Sequence, residues 1–367
     1  MAMRIALDAS AVPTRVAGAG RYVMEIARRL PEAGAELVLV TRRSDVARWR
    51  ACSPNAEVAP VVPDGRASRL IVEAWQLGQS TVARDASVWH GPHYTMPHRG
   101  TTPAVVTVHD LTFFTHPQFH ERAKVVFFRR AIAYAVRHAR VLICVSDFTA
   151  NQMREIFPAH GPIVVAPHGV DLERFAPEDE RSVSEPVSVP YVLFVGTIEP
   201  RKGLATLLGA FAHLARTDPT VELWIAGQSG WGRELGESVD RHVARSRIRQ
   251  LGFVSDAELP ALLRRARAVA YPSFVEGFGL PVLEALACGA PVVTSSGTVM
   301  ADVAGDAAFL IVPGDEDGLA GALVKILAFS NDERRRVSAQ ARARAELFTW
   351  TTSVERHLEA YDLASRA

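Results

Sequence analysis

At 367 residues the chain is longer than one hydrophobic core usually organises, so two domains are expected. A net charge of +1 argues against a general nucleic-acid binder, and 48% hydrophobic with 22% charged residues is the balance of a soluble globular protein. Three scattered cysteines (Cys52, Cys144, Cys288) make neither a disulfide framework nor a metal spacing, and no signal peptide or membrane-length apolar run is read, so a reducing, cytoplasmic setting is expected.

In chain order, Met3 to Leu7 reads as a buried strand. The loop after it closes in Gly18-Ala19-Gly20-Arg21-Tyr22, and Val23, Ile26, Ala27 and Leu30 then recur at helical spacing. A dinucleotide-binding turn would follow the strand directly and carry a third small residue. Here about ten residues intervene and Val23 holds that place, which disfavours a nicotinamide site. Glu36 to Val40 reads as a strand and Arg66 to Ala83 as a helix. His90, His93 and His98 lie in a Pro/Gly loop around Tyr94, with no cysteine or carboxylate to complete a zinc set. The loop is better read as the ligand-facing end of a strand.

Thr102 to Val108 alternates into His109-Asp110-Leu111. A histidine directly after a strand can donate to a sugar hydroxyl or share a developing charge. The helix expected over 119–140 is basic and amphipathic, suited to solvent or to an anionic lipid surface. Ser146 fits the N-cap of the helix after the next strand. Pro177 to Pro190, rich in Glu, Ser and Pro, reads as the interdomain linker.

Tyr191 to Val195 opens the second half as a strand, followed by Gly196-Thr197-Ile198-Glu199-Pro200-Arg201-Lys202-Gly203. Lys202 is one of three lysines in this arginine-rich chain, and with Arg201 it sets two cations at a helix start, where a diphosphate leaving group would need them. Arg249 to Val254 reads as a strand, with Ser255 and Glu258 spaced as a capping box behind it. Arg267 to Tyr271 is the next apolar run, Pro272 to Gly279 a loop, and Leu280-Pro281 a helix start.

Bare amides, a helix dipole and Gly277 and Gly279 favour an anion at that loop. Glu276 and Glu284 would then serve sugar hydroxyls. The spacing alone serves equally well for a plain strand–loop–helix connection with solvated acids. Asp315-Glu316-Asp317 reads as a helix N-terminus rather than a metal-binding D-x-D.

Glu276 and Glu284, with seven residues between them, match the E-x7-E signature of retaining glycosyltransferases of the two-domain GT-B fold. The surrounding EGFGLPVLEALACGAPVV resembles family four of that class. GAGRY, HDL, VSDFT, PHGVD, GTIEPRK and RQLGFV extend the likeness along the chain. The resemblance implies an α/β fold of two Rossmann-like, doubly wound domains facing across a cleft. Residues 1–180 would take the acceptor side and 190–349 the nucleotide sugar, with a C-terminal helix, 350–367, packing back on the first domain.

The same resemblance implies the site. Arg201, Lys202, Gly196, Thr197 and the amides of Gly277, Phe278, Gly279 and Leu280 would hold the donor diphosphate, with Gly18 and Gly20 closing over it. Phe253 and Val254 would line the base, and Glu284 the ribose. Glu276 and His109 are the catalytic candidates, and His93, Tyr94 and Ser146 the acceptor-side ones. The chain departs from the usual pattern in one place: Thr197 stands where an arginine is usual, and Arg201 precedes the lysine. No cofactor and no catalytic metal are implied, and retention on one face requires no enzymic nucleophile.

GTIEPRK further resembles bacterial mannosyltransferases of surface-glycan synthesis. That favours GDP-mannose as donor and a glycan or lipid-linked hydroxyl as acceptor, with peripheral membrane contact through the basic helix 119–140. An epimerase of the same fold and a non-catalytic nucleotide-binding protein are the competing readings. The intact glutamate pair and Lys202 weigh against the second.

Overall fold

The computed structural model describes residues 3–14, 16, 18–177, 189–228, 230 and 233–366. The chain divides into two compact units, Met1–Gly169 with Thr349–Ala367, and Val170–Phe348. The division falls at Gly169 and Val170 rather than at 180–190, and residues 178–188 of the expected linker lie outside the described residues. Hydrogen bonds explain the earlier boundary. Val170 donates its N–H to the Phe348 carbonyl, and Arg342 reaches the carbonyls of Leu172 (3.1 Å) and Phe175 (2.7 Å), so the chain is tied to the second unit from Val170 onward.

The first unit carries a seven-stranded parallel sheet ordered β3-β2-β1-β4-β5-β6-β7. Its strands are β1 (Arg4–Asp8), β2 (Glu36–Arg42), β3 (Glu57–Val62), β4 (Val88–Gly91), β5 (Ala104–Val108), β6 (Val141–Cys144) and β7 (Ile163–Val165). The second carries six parallel strands ordered β10-β9-β8-β11-β12-β13. These are β8 (Tyr191–Val195), β9 (Glu222–Ala226), β10 (Ile248–Gly252), β11 (Ala268–Tyr271), β12 (Val292–Ser295) and β13 (Ala308–Ile311). In both sheets the order reverses beside the first strand. Ligand crevices of doubly wound sheets open there, at the carboxyl ends of β1 and β4 and of β8 and β11.

Composition explains which strand goes where. β5, β6 and β11 are buried at every position and are mostly small or branched apolar residues, as suits strands covered on both faces, with Thr107 and Tyr271 as the polar exceptions. Edge strand β3 carries Pro60, and edge strand β10 exposes Arg249 and Gln250, which blunts both rims. Helix Ala19–Glu32 buries Tyr22, Val23, Ile26, Ala27 and Leu30 on one stripe. Helix Trp350–Arg366 buries Val354, His357, Ala360 and Tyr361 in the first unit's core.

Three elements differ from the sequence reading. Arg66 to Ala83 is not one helix but helix Arg66–Trp75, a tight turn at Leu77–Gln79 and a short helix Thr81–Arg84. The break falls at Gly78, where a Cβ would lie 1.7 Å from the Arg99 carbonyl oxygen, so the backbone must run flush against the neighbouring loop. The basic helix spans Arg122–His138 rather than 119–140, because Pro117–Phe119 closes a separate turn and Glu121 is extended. At the expected capping box, the Glu258 carboxylate accepts the Ser255 N–H (3.1 Å), but the helix begins at Leu259 and Ser255 does not cap it.

Candidate active site

The carboxyl ends of β8 and β11 converge on one carboxylate. After β8 the chain makes a tight turn, Pro200–Lys202, that places two cations toward β11. Gly203 closes the turn; a Cβ there would lie 1.9 Å from the Pro272 carbonyl oxygen, so only glycine lets the turn meet the β11 loop. Glu276, 9% exposed, receives four donors. Its Oε1 accepts Lys202 Nζ at 2.5 Å and the Tyr271 and Ser273 hydroxyls at 2.9 Å each, and its Oε2 accepts Arg201 Nη1 at 2.7 Å. Arg201 also bonds Glu199 at 3.1 Å.

Burial alone would raise the Glu276 acid, but Arg201 and Lys202 outweigh it and hold the carboxyl down at about 2. Burial and the neighbouring Arg201 push the Lys202 ammonium below the ordinary lysine range, against the pull of Glu276. Three residues beyond Glu276, Gly279 is the N-cap of helix Leu280–Ala287, at φ 96, a left-handed value that glycine adopts without strain. Glu284 lies buried within that helix. Phe253, by contrast, is 46% exposed just past β10.

Around His109 the corresponding edge of the first unit is aromatic, while β1 ends in the buried carboxyl of Asp8, near buried Glu73, which pairs with Arg69 at 2.8 Å. His109 follows β5, is 8% exposed, and meets Tyr22, His93, Tyr94 and His168 with ring centroids 5.1 to 5.9 Å away. Its Nε2 donates to the Pro92 carbonyl (2.8 Å), which leaves Nδ1 as an acceptor in the neutral ring. Burial keeps the ring below the ordinary histidine range. The expected hydrogen-bond donor to a sugar is thus already engaged, and the ring offers a lone pair instead. Among the described residues Tyr94 is the one non-glycine with positive φ, 65°. Its hydroxyl accepts the Asp110 N–H (3.2 Å), so a strained backbone holds the ring beside His109.

Behind His109 runs a directed chain of hydrogen bonds. The Ser353 carbonyl can only accept, so His357 Nδ1 donates to it (2.6 Å) and His357 Nε2 must accept from the Tyr22 hydroxyl (2.7 Å). Tyr22 then accepts from Thr107 (2.8 Å), Thr107 from His90 Nε2 (2.8 Å), and His90 Nδ1 from Tyr361 (2.8 Å). Both ends of the chain lie on helix Trp350–Arg366. Burial holds His90 well below the ordinary histidine range and His357 at about 4, so both rings are neutral at pH 7.

The structure therefore brings Arg201, Lys202 and Glu276 into one cluster with the Gly277–Leu280 loop, and His93, Tyr94 and His109 into another. Gly18 caps helix Ala19–Glu32 at φ 47, and a Cβ on Gly20 would sit 3.3 Å from Val16. Gly196 and Thr197 follow β8, and Val254 follows Phe253 beyond β10. Ser146 accepts the Thr149 N–H (3.1 Å) as a helix cap. Asp315 does the same for Gly318 (2.9 Å). Sequence reasoning missed Tyr271 and Ser273, although their position just ahead of Glu276 was a usable signal. It also missed Thr107, His357 and Tyr361, which nothing local marks. Among the described residues no group of three or more His, Cys, Asp or Glu side chains is placed to hold a metal ion, and no helix is long and apolar enough to cross a membrane.

Comparison with known proteins agrees with this architecture. Residues 16–174 match the family described as Glycosyltransferase Family 4, and residues 176–344 the one described as Glycosyl transferases group 1. The O-antigen chain mannosyltransferase B of Escherichia coli is 31% identical over 98% of this chain and 100% of its own. The D-inositol 3-phosphate glycosyltransferase of Geodermatophilus obscurus is 29% identical over 97% and 91%. Among solved structures, sucrose-phosphate synthase from Thermosynechococcus elongatus superposes with a TM-score of 0.79 at 21% identity, covering 98% of each chain. Anabaena Alr3699/HepE, in complex with UDP-glucose, gives 0.75 at 22%, covering 97% of this chain and 98% of its own. Two parallel sheets with these strand orders, and matches that run through both, make the chain a family 4 glycosyltransferase of the GT-B fold.

Proposed function

We propose that this glycosyltransferase moves a hexose from a nucleotide-diphosphate sugar to a hydroxyl of a glycan or lipid-linked acceptor, with retention and without a catalytic metal. Mannose from GDP-mannose is the favoured donor. The observation that carries the reading is the Glu276 carboxylate gripped by Arg201 and Lys202 beside a helix N-terminus, where the strand order reverses.

The chemistry follows from that grip. An arriving diphosphate competes for the two cations, and the amides from Gly277 to Leu280 complete its cradle. Glu276, released from them, accepts hydroxyls of the transferred hexose. As the bond from the anomeric carbon to the diphosphate lengthens, charge grows on the leaving oxygen, and Arg201 and Lys202 supply the positive charge that stabilises it. The acceptor hydroxyl attacks on the same face and gives its proton to the departing phosphate oxygen, so no side chain forms a covalent intermediate. Glu284 takes the ribose hydroxyls. Phe253 offers an exposed ring to the base. The acceptor nitrogen of His109 receives a sugar hydroxyl, with His93 and Tyr94 beside it.

The mannosyltransferase relative supports mannose, and the UDP-glucose held by one structural neighbour makes UDP-sugars the rival donors. Calorimetric titration of the full chain with UDP-, GDP- and ADP-sugars decides between them, and GDP-mannose is expected to bind most tightly. NMR of the product is expected to show the donor's anomeric configuration, and EDTA is expected to leave turnover unchanged. Loss of turnover restored by magnesium would remove metal independence. Epimer formation without acceptor would remove the transfer reading. We also place a peripheral membrane contact on helix Arg122–His138, whose basic residues suit an anionic lipid surface.

A further inference from the structure

Two cavities of opposite character share a wall in the first unit. One, of about 460 Å³, lies between helices Arg66–Trp75 and Arg122–His138 and is lined mainly by apolar side chains such as Leu70, Ala74, Val126 and Phe127, with Glu73 and Arg130 also on its wall. The other, of about 270 Å³, is lined by Arg99, His138 and Arg140, and among the described residues no carboxylate lines it. Met96, His98 and Tyr134 border both. Trp89 also lines the polar cavity; it is 2% exposed, and its indole N–H has no acceptor among the described residues. That nitrogen has no accessible surface, so it belongs to the wall of the cavity, and it is the two arginines that an anionic ligand would meet.

The site is built by its backbone. Gly78 and Gly100 press together, a Cβ on Gly100 falling 2.3 Å from the Gly78 carbonyl oxygen, and this fixes the loop that carries His98 and Arg99. Arg99 lies over the Trp75 ring, 5.0 Å from its centroid. Around the apolar cavity Ile71 is 58% exposed, Trp75 49% and Val126 52%, a cluster of large apolar side chains left in water on two adjacent helices. Helix Arg122–His138 points its carbonyl end at the polar cavity, which disfavours an anion. That end carries only about half a negative charge, against the two full positive charges of Arg99 and Arg140. Thr102 to Ala104 line the polar cavity at the start of β5, and Arg140 directly precedes β6, so it opens at the amino ends of the strands. The transfer site belongs at the opposite, carboxyl ends.

We propose that the first unit binds an anionic lipid, its phosphate in the cavity of Arg99 and Arg140 and its hydrocarbon chain in the apolar cavity between the two helices. The site rests on the membrane contact placed on helix Arg122–His138, and the two can fail separately. Its ligand is an alkyl phosphate, recognised by both ends at once.

Calorimetry on the full chain with monomeric dodecyl phosphate, inorganic phosphate and dodecyl maltoside tests it. Dodecyl phosphate is expected to bind one per chain, at least about tenfold more tightly than either of the others. Equal affinity for inorganic phosphate would reduce the site to a free-phosphate pocket. Equal affinity for the maltoside would leave only an apolar groove. Either result overturns the proposal, as does no binding. The Arg99→Ala, Arg140→Ala double variant alters exposed side chains outside the transfer site and is expected to weaken dodecyl phosphate at least about tenfold, with turnover on a soluble acceptor unchanged. Ala131→Trp, which fills the apolar cavity, is expected to weaken dodecyl phosphate but not inorganic phosphate. Unchanged dodecyl phosphate affinity in the double variant also overturns the site. Flotation compares vesicles of phosphatidylcholine alone with equal parts phosphatidylcholine and phosphatidylglycerol. Association with the anionic vesicles that persists undiminished in the double variant would keep the membrane contact and remove this site.

Discussion

The two sheets reverse their strand order at the same place, yet they furnish the resulting crevice in opposite ways. At β8 and β11 the polar groups are ionic: one buried carboxylate holds a guanidinium at 2.7 Å and an ammonium at 2.5 Å from its oxygens. In the first unit the groups around Tyr22 and His109 are neutral, ordered by a chain of hydrogen bonds in which every donor has one acceptor, and the charge near β1 is confined to Asp8 and the Arg69–Glu73 pair. Ions suit a place where charge must arrive and leave. Neutral rings suit a place that must hold its shape, because burying them carries no Born penalty.

Removing the charge at the ionic end gives the largest effect. Glu276→Gln keeps acceptors for Tyr271 and Ser273 but not the charge, and is expected to lower kcat by about 10² to 10³, the usual cost of one transition-state contact. Glu276→Ala also leaves the buried Lys202 ammonium without its carboxylate, while Arg201 keeps Glu199, and is expected to cost about 3–5 kcal/mol of stability besides. Turnover within a few-fold of wild type in the glutamine variant would contradict the assignment.

Acid should separate the two units. His357 titrates near 4 when folded and near 6.5 when unfolded, so the unfolded chain binds more protons between those values. Stability from this ring is complete above pH 6.5 and falls as pH drops toward 4, on the order of 3 kcal/mol in all. His90 and His168, both pushed far down by burial, act in the same direction. Glu73 opposes them, because burial and Asp8 raise it to about 7, and Glu73→Gln is expected to steepen the loss. Glu276, folded at about 2 and ordinarily 4.5, contributes stability that is complete above pH 4.5 and lost below it. The first unit is therefore expected to loosen at a higher pH than the second. Hydrogen exchange from pH 7 to 4 measures this, and simultaneous loss in both units would refute it.

Tyr22→Phe interrupts the neutral chain in the middle and leaves Thr107 and His357 each short of a partner. It is expected to cost about 1–3 kcal/mol, read as earlier melting of the first unit alone. Smallest is Ser146→Ala. Loss of the cap is expected to cost about 1 kcal/mol with the acceptor KM unchanged. A raised KM at unchanged stability would return Ser146 to the acceptor.

The charged end was legible in the sequence because its parts are compact. Arg201 and Lys202 are adjacent, and Glu276 sits in a glycine loop that opens a helix. Their convergence on one another, 74 residues apart for Lys202 and Glu276, was not. The alternation of strands and helices was readable from apolar runs, but the break at Gly78 depends on a contact with Arg99 that no local pattern announces. The neutral chain was least legible. Tyr22 and His357 lie 335 residues apart, and each alone looks like an ordinary core aromatic. The boundary at Gly169 was hidden for a similar reason: it is set by Arg342, far along the sequence, rather than by local composition.

The helix that bears Ser353, His357 and Tyr361 is synthesised after the whole of the second unit, yet it packs into the core of the first. About 180 residues separate Gly169 from Thr349, which at usual elongation rates is roughly 10 to 40 s of translation. Through that interval Tyr22, Thr107 and His90 emerge from the ribosome without the partners that end their hydrogen-bond chain. The unit from Val170 to Phe348 has no such wait. The second unit can thus mature before the first, and a nascent chain stalled before Trp350 would expose to chaperones the apolar surface that helix Trp350–Arg366 covers.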